Sequence, residues 1–295
     1  MNRYRALWII LSFFACGSLS SYLSAQAPII SEELTPLVYS NGGKPLGRRQ
    51  YEVELIEFLL AADDSPRYRL ETLDQIIMRE RMLSLLGRGK VDLVELASFS
   101  AEKNQAKTLH RVEYPVLNGL LGYRIGLIRK GDHNDFNQIT TLDQLKSIRI
   151  GQGNWSEVPI LEMNGLTIVK FGFWDELFPM LANNRFNFLS LGVMEAAPAL
   201  AARPSFKDRL EIEKTLLLYY PFERNIFVAA NKPKVAEKLR RGFEKIIEQG
   251  IYDRHFDRYF GDTVTQMRES KRRLIILRSP YVSEDHPLSK PILLQ

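Results

Sequence analysis

Apolar and polar positions follow two alternating patterns from residue 34 onward. Short apolar runs, many with β-branched residues, predict strands, and longer stretches with apolar residues every three or four positions predict helices. Their alternation is typical of βα units, so the predicted fold class is α/β with mixed or parallel sheets. The predicted strands are 34–40, 68–73, 91–97, 123–129, 148–151, 166–171, 186–191 and 225–230. The predicted helices are 51–62, 76–86, 101–109, a short one after Thr141, 154–165, 174–183, 193–201, 233–250 and 252–259.

Two Tyr-Pro steps, Tyr114-Pro115 and Tyr220-Pro221, bracket the middle of the chain. Proline holds the preceding residue in an extended conformation and ends the element before it. We therefore expect two crossings between two lobes, with a hinge where they meet. The first lobe is predicted to comprise residues 28–115 and 222–273, and the second lobe residues 116–221.

The last segment, residues 274–295, has an apolar start followed by three prolines, Pro280, Pro287 and Pro291. Proline interrupts helices, so we expect an extended strap that packs on a lobe. A segment that docks on a partner is the alternative, and the sequence does not choose between them.

Residues 1–27 have the pattern of a secretory signal peptide. Arg3 and Arg5 precede an apolar stretch over 6–19, and Ala25-Gln26-Ala27 offers a small-residue cleavage site. The apolar run is shorter than the roughly 20 residues that span a bilayer. We expect cleavage and a periplasmic protein; a membrane anchor and lipidation at Cys16 are the alternatives.

Composition narrows the classes of function. Cys16 is the only cysteine, so removal of the leader leaves no thiol for a disulfide, a metal or nucleophilic chemistry. A hydrophobic content of 45% excludes a disordered chain. The net charge of +5 falls by two when Arg3 and Arg5 leave, which is too mild to indicate a nucleic-acid partner. We expect a monomer without cofactor or metal.

Several motifs occur together in a recognisable order. They are Leu86-Gly87-Arg88-Gly89-Lys90-Val91-Asp92-Leu93 within the segment 81–100, Glu113-Tyr114-Pro115, the segment 141–146 beginning Thr-Leu-Asp-Gln-Leu, the segment 180–187 containing Asn184-Arg185-Phe186-Asn187, and Gly250-Ile251-Tyr252 followed by Arg258-Tyr259-Phe260-Gly261. In this order they resemble the extracellular solute-binding proteins of the amino-acid type, family 3. The resemblance spans roughly residues 34–262. It implies a type II periplasmic-binding-protein fold, in which two α/β lobes close on a small solute.

The resemblance also implies where a ligand contacts the protein, and the chain departs from it at two positions. Relatives grip the ligand's carboxylate with an arginine in a Thr-x-Glu-Arg segment, where this chain has Ser100-Ala101-Glu102-Lys103. Lysine supplies a positive charge but not the planar guanidinium that forms two parallel hydrogen bonds with a carboxylate. Relatives also place an aspartate for the ligand's ammonium where this chain has Gly192. The expected ligand is therefore an amino-acid-like polar or zwitterionic solute rather than an ordinary amino acid.

Other candidate contacts follow from the residues themselves. Gly151-Gln152-Gly153-Asn154-Trp155 lies between a strand and a helix start, where backbone N–H groups favour an anionic or carbonyl group; an ordinary turn is the alternative. Tyr39, Trp155 and Trp174 are candidates for stacking or for the core. Glu95 interrupts an apolar strand ahead of Ser98 and Ser100, so it needs a wet cleft or an ion pair, for which Arg79 and Arg81 are candidates. The predicted ligand-binding residues are Tyr39, Glu95, Ser98, Ser100, Lys103, Gly153, Asn154, Trp155 and Gly192.

No pattern of catalytic residues stands out. His110, His133, His255 and His286 lie in polar or terminal stretches, are expected at the surface, and match no triad or His-Glu-x-x-His motif. We expect a binding protein, not an enzyme, that delivers its solute to the membrane permease of an ABC transporter. A sensory protein that signals to a membrane receptor and a scaffold with a degenerate cleft are the alternatives.

Overall fold

The computed structural model describes residues 34–63, 66–97 and 109–295, which form two β-sheets flanked by helices. The strands are β1 (Thr35–Ser40), β2 (Tyr68–Leu73), β3 (Leu93–Ala97), β4 (His110–Val112), β5 (Tyr123–Arg129), β6 (Arg149–Gly153), β7 (Thr167–Phe171), β8 (Phe188–Gly192), β9 (Leu210–Ile212), β10 (Leu216–Tyr219), β11 (Arg224–Val228) and β12 (Arg273–Ile276). The α-helices are α1 (Leu46–Ala61), α2 (Arg79–Gly87), α3 (His133–Asn137), α4 (Leu142–Leu145), α5 (Val158–Met163), α6 (Leu177–Ala182), α7 (Ala196–Ala201), α8 (Pro233–Glu248) and α9 (Ile251–Glu269).

The first sheet has the strand order β2-β1-β3-β11-β4 and belongs to the first lobe. Strands β2 and β3 run parallel to β1, whereas β11 runs antiparallel to β3 and β4. Helices α1, α8 and α9 pack together beside this sheet. The apolar stripe of α1, with Leu55 and Leu59, is fully buried against them, and this burial stabilises a helix that has no side-chain cap.

The second sheet has the order β12-β10-β5-β8-β6-β7, with β9 paired to β5 outside this path. Strands β7 and β8 run parallel to β6, and β5 runs antiparallel to β8 and β10. The predicted α/β class and two-lobed architecture are confirmed. A predicted detail is confirmed as well, because Thr141 and Gln144 form a reciprocal capping box at the start of α4.

Three stretches of chain connect the two sheets. Both Tyr-Pro steps lie in such stretches, one between β4 and β5 and the other between β10 and β11. A third connection leaves α9 at residue 270 and enters β12, which pairs in parallel with the edge strand β10. The sequence predicted only two crossings, because a short apolar run near the end of the chain could equally belong to an extended tail or to a strand such as β12.

The tail after β12 runs along the connections and back to the first lobe. In the second lobe, Asn164 donates to the Arg278 carbonyl at 2.7 Å and accepts from the Arg278 amide at 3.0 Å. Leu288 is 2% exposed and packs on Gly119, whose φ of +73° and closeness to Leu288 exclude a larger side chain. Near the end, Arg268 of α9 donates to the Leu293 carbonyl at 2.9 Å. We call residues 277–295 the strap.

Two expectations about α9 are wrong. The predicted helix ends at residue 259, whereas α9 continues to Glu269, because Val264 and Met267 extend its buried stripe beyond Gly261. His255 is not at the surface. It is 3% exposed, stacks on Tyr51 with ring centroids 4.6 Å apart, and its Nε2 lies 2.9 Å from the Tyr51 carbonyl oxygen. The α-helical spacing places it on the buried face of the helix.

No helix in the described ranges is long and apolar enough to cross a membrane. Within the same ranges, no three His, Cys, Asp or Glu side chains are grouped so that they could hold a metal ion.

Candidate functional site

Buried clusters of charged side chains lie next to the connections in both lobes. From the first lobe come residues of the segment after β1, of α1, of β3 and of β11. From the second lobe come the start of β5 and the segments that follow β6 and β8. Because β6 and β8 are parallel and β5 is antiparallel to β8, these three positions lie at one edge of the second sheet. We call this place the cleft.

Glu95 is the centre of the first-lobe side of the cleft. It lies on β3, is 1% exposed, and accepts from Arg48 at 2.9 Å and from the Arg224 Nη2 at 2.7 Å. The Lys44 ammonium lies 3.4 Å from the same carboxylate. Burial alone would raise the pKa of Glu95, but Arg224, Arg48 and Lys44 outweigh it and hold that pKa well below its usual range. Glu95 is therefore a charged carboxylate throughout the physiological range.

Glu52 of α1 forms a second buried carboxylate beside the first. Arg48, one helical turn earlier, donates to it at 2.8 Å, and Lys44 forms an ion pair with it. The Tyr39 hydroxyl donates to the same carboxylate, and the Lys44 ammonium lies 3.0 Å from that hydroxyl. Tyr39 is fully buried by these contacts. Its hydroxyl and ring thus form part of the charge cluster, with the Lys44 ammonium 5.2 Å from the ring centre.

Arg124 is the cation of the second-lobe side. It is the second residue of β5 and 2% exposed, yet its two hydrogen bonds are long: 3.5 Å to the Leu121 carbonyl and 3.4 Å to the Ser190 carbonyl. The nearest carboxylates, Glu157 and Glu195, lie 3.6 Å and 3.8 Å from its Nη1, beyond good hydrogen-bond length. A buried guanidinium with five donors is thus only weakly bonded.

Glu195 fills the space next to Gly192. The Gly192 amide donates to its carboxylate at 2.9 Å, and a Cβ on Gly192 would lie 2.8 Å from the same oxygen. A carboxylate therefore stands beside position 192 although the residue there is glycine. Glu195 also acts across the cleft: together with Glu95 and Glu52 it raises the pKa of Arg48, against the lowering effect of burial.

Among the described residues, the cleft has equal numbers of cationic and anionic side chains. Its four cations are Lys44, Arg48, Arg124 and Arg224, and its four anions are Glu52, Glu95, Glu157 and Glu195. A ligand with net charge would leave an unpaired charge in a largely buried place, which is costly. The arrangement favours a solute that is neutral overall.

Three polar atoms beside this cluster have no hydrogen-bond partner among the described residues: Arg124 Nε, the Ser190 hydroxyl and the Tyr220 hydroxyl. All three side chains are almost completely buried. Buried polar groups are normally bonded, so this concentration at one place calls for an explanation.

Only some of the predicted ligand-binding residues lie at the cleft. Gly153 and Gly192 are the last residues of β6 and β8, at the cleft end of the second sheet, whereas Glu95 is the middle residue of β3. The space next to Gly153 holds the indole of Trp155, which lies 2.3 Å from where a Cβ would be, and Trp155 packs near Trp174 at 5.5 Å. Asn154 is exposed. Ser98, Ser100 and Lys103 lie outside the described residues.

Glu95 forms no ion pair with Arg79 or Arg81, the partners proposed from the sequence; its cations come from α1, β11 and the segment after β1. Sequence reasoning missed most of the cleft, including Arg48, Glu52, Arg124, Glu195 and Arg224. One signal was present, since Arg124 interrupts an apolar strand just as Glu95 does.

A separate depression of about 560 Å³ lies at the opposite edge of the second sheet, where β6 begins. It is lined by Arg149, Glu176, Pro179, Met180, Asn183, Asn184 and Arg185 and is wide open. It shares no residue with the cleft.

Comparison with known proteins identifies the fold. No protein-family model and no curated protein matches the sequence. Among solved structures, the probable amino-acid ABC transporter extracellular-binding protein YtmK of Bacillus subtilis is similar with a TM-score of 0.57 at 15% identity, over 78% of this chain and 99% of that one.

Two further structures agree. An ancestral arginine-binding protein bound to arginine has a TM-score of 0.52 at 18% identity, over 77% of this chain and 98% of that one. The VFT2 domain of Bordetella pertussis BvgS, as a double mutant, has a TM-score of 0.52 at 16% identity, over 77% and 93%. The resemblance in the sequence is thus confirmed at the level of the fold, which is the two-lobed fold of periplasmic binding proteins.

Proposed function

We propose that the protein binds a small, neutral or zwitterionic polar solute in the cleft between its lobes. One observation carries this proposal: each lobe has a buried cluster of cations and carboxylates next to the connections, Glu195 of the second lobe acts on Arg48 of the first, and the charges of the two clusters balance. Fixed buried charges of both signs suit a solute that carries polar groups of both kinds. The fold supports the proposal, because several proteins that share it are described as binding proteins.

The proposed place of action is the periplasm, and it rests on residues 1–27, which have the pattern of a cleaved leader. The proposed partner is the membrane permease of an ABC transporter, which would accept the solute from the closed form. A membrane receptor that recognises the same closed form is the alternative partner.

Thermal melting of the protein lacking residues 1–27 tests solute binding. The probes are amino acids, their amides, polyamines, short peptides and organic acids, each over a range of concentrations. A solute that binds only the folded state stabilises it by about 2.7 kcal/mol at a hundredfold excess over its dissociation constant. We expect a dose-dependent rise in the melting temperature with at least one class, and a smaller radius of gyration in X-ray scattering.

A scaffold without ligand is a second candidate, and a specific observation favours it. The cleft carboxylates are paired with the protein's own cations, and the open sides of Gly153 and Gly192 are covered by Trp155 and Glu195. A broad panel with no shift in melting temperature would support the scaffold and contradict the solute-binding proposal.

A further inference from the structure

The partnerless polar atoms beside the cleft lie on one face of the second sheet. Arg124 on β5 pairs with Gly192 on β8, and Gly126 pairs with Ser190, so the side chains of Arg124 and Ser190 are on the same face. The Arg124 guanidinium lies 3.4 Å from the Ser190 carbonyl and 6.0 Å from the centre of the Tyr220 ring. The guanidinium thus contacts the residues that carry the partnerless serine and tyrosine hydroxyls.

All three groups can act as donors. Burial raises the pKa of Tyr220 well above its usual value and outweighs the lowering effect of Arg124, so the phenol is neutral and keeps its proton. The Ser190 hydroxyl and the Arg124 Nε–H also have a hydrogen to give. Among the described residues no acceptor meets any of them.

The acceptors of the protein itself are held elsewhere. The Glu195 carboxylate is fixed by the Gly192 amide at 2.9 Å, and it comes no closer to the Arg124 Nη1 than 3.8 Å. Glu157 stays at 3.6 Å from the same nitrogen. Among the described residues the three donors therefore have no acceptor of the protein's own within hydrogen-bond distance.

We propose that Arg124, Ser190 and Tyr220 form the subsite that binds the carboxylate of the solute, with Arg124 as the main anchor. The proposal rests on the proposed function and adds the group of the ligand that is recognised and the lobe that recognises it. A carboxylate fits because it accepts several hydrogen bonds at once and gains charge assistance from a guanidinium. Glu195 and Glu157 flank the subsite, so the solute also carries a cationic group that keeps the cleft neutral.

Two neighbouring tyrosines provide a matched pair of variants. Tyr220 has a buried hydroxyl without a partner, whereas the Tyr219 hydroxyl lies 2.6 Å from the Leu288 carbonyl and 3.0 Å from the Lys290 carbonyl. Tyr220→Phe removes an unsatisfied group, so the melting temperature without ligand should stay the same or rise. Tyr219→Phe removes a satisfied one, so its melting temperature should fall while solute binding is kept.

Binding is measured by calorimetry with L-amino acids and simple carboxylic acids, each compared with its primary amide. For the acid that binds the wild type, we expect the amide to bind about tenfold more weakly or worse, since a charge-assisted bond is lost. Tyr220→Phe should lower the affinity for that acid by about three- to tenfold. Arg124→Lys, which keeps the charge but loses Nε and the fork, should weaken it further.

The other possible outcomes would overturn the subsite, and one of them would overturn the proposed function as well. A melting temperature that falls in Tyr220→Phe as much as in Tyr219→Phe shows that the Tyr220 hydroxyl already has a partner, and it overturns the subsite. Unchanged affinity in Tyr220→Phe and Arg124→Lys overturns the subsite but leaves solute binding intact. If no probe binds the wild type, the proposed function itself fails, and the subsite fails with it.

Discussion

Glu95 is buried only because three cations surround it. Arg48 comes from a helix, Arg224 from the strand after the second connection, and Lys44 from the segment after β1. None of these residues is close to Glu95 in sequence. The carboxylate therefore fixes the relative positions of three separate segments on the first-lobe side of the cleft.

Glu95→Gln should lower the free energy of unfolding by about 3–5 kcal/mol, because it leaves buried cations without their carboxylate. Urea denaturation followed by circular dichroism measures this loss. Glu113→Gln is the control, since its ion pair with Arg111 is exposed and should change the same free energy by less than about 1 kcal/mol.

The pH dependence of unfolding gives an independent check on Glu95. Its folded pKa is depressed below the usual value of 4.5, so its contribution is complete above that pH and is lost as the pH falls toward the folded pKa. Glu95→Gln should flatten this acid limb of the stability curve. Equal acid limbs in the variant and the wild type would contradict the ion-pair cluster.

At this scale the sequence revealed single unusual residues but not their partners. Glu95 was found because an acid in an apolar strand needs an explanation, and Arg124 would have been found by the same argument. Glu52 and Arg48 lie in an amphipathic helix, where charges are ordinary. Only the tertiary fold shows that they are buried, so no local pattern could have assigned them to the cleft.

Among the elements, the contact between α1 and α8 depends on one small residue. A Cβ on Gly242 of α8 would lie 2.5 Å from the Leu59 carbonyl oxygen of α1, so the two helix backbones are in direct contact. Gly261 of α9, also inside a helix, has only the Asp257 Cβ within contact range, at 3.6 Å.

Alanine at these two positions should have opposite effects. Gly242→Ala should lower the free energy of unfolding by about 1–3 kcal/mol, because the helices must move apart. Gly261→Ala should raise it by about 0.5–1 kcal/mol, because alanine favours the helix and meets no close neighbour. Chemical denaturation of both variants measures the difference; a stabilised Gly242→Ala would contradict the close packing of α1 on α8.

Elements with a clear periodicity of apolar residues were predictable. Very short strands, and the part of α9 that continues beyond Gly261, were not. The strands over 68–73 and 123–129 have the predicted bounds. The strands β4, β9, β10 and β12 were missed, since each has only three or four residues and is defined by its neighbour in the sheet. Gly261 concealed the second half of α9, where packing outweighs the low helix propensity of glycine.

For the molecule as a whole, the third connection changes how the lobes are joined. The strap forms hydrogen bonds with Asn164 in the second lobe, with Tyr219 next to the connections and with Arg268 in the first lobe, and its Leu288 packs on Gly119. It therefore contacts both lobes as well as residues next to the connections between them.

Leu288→Ala should lower the free energy of unfolding by about 2–4 kcal/mol, because Leu288 is 2% exposed against Gly119. Ile276→Ala is the control: this side chain is 50% exposed, and its loss should cost much less. X-ray scattering of Leu288→Ala should also show a larger radius of gyration, since the strap holds the lobes together. An unchanged radius in a destabilised variant would limit the strap to a local packing role.

Strand β12, at the end of the third connection, has a consequence for the order in which the chain acquires its structure. Synthesis proceeds from the N-terminus, so both lobes and their first two connections emerge before β12 does. Until then β10 is an unpaired sheet edge, and such edges favour association between chains. Strand β12 is thus made after the other strands of the second sheet, and a chain that stops before it would leave the β10 edge unpaired.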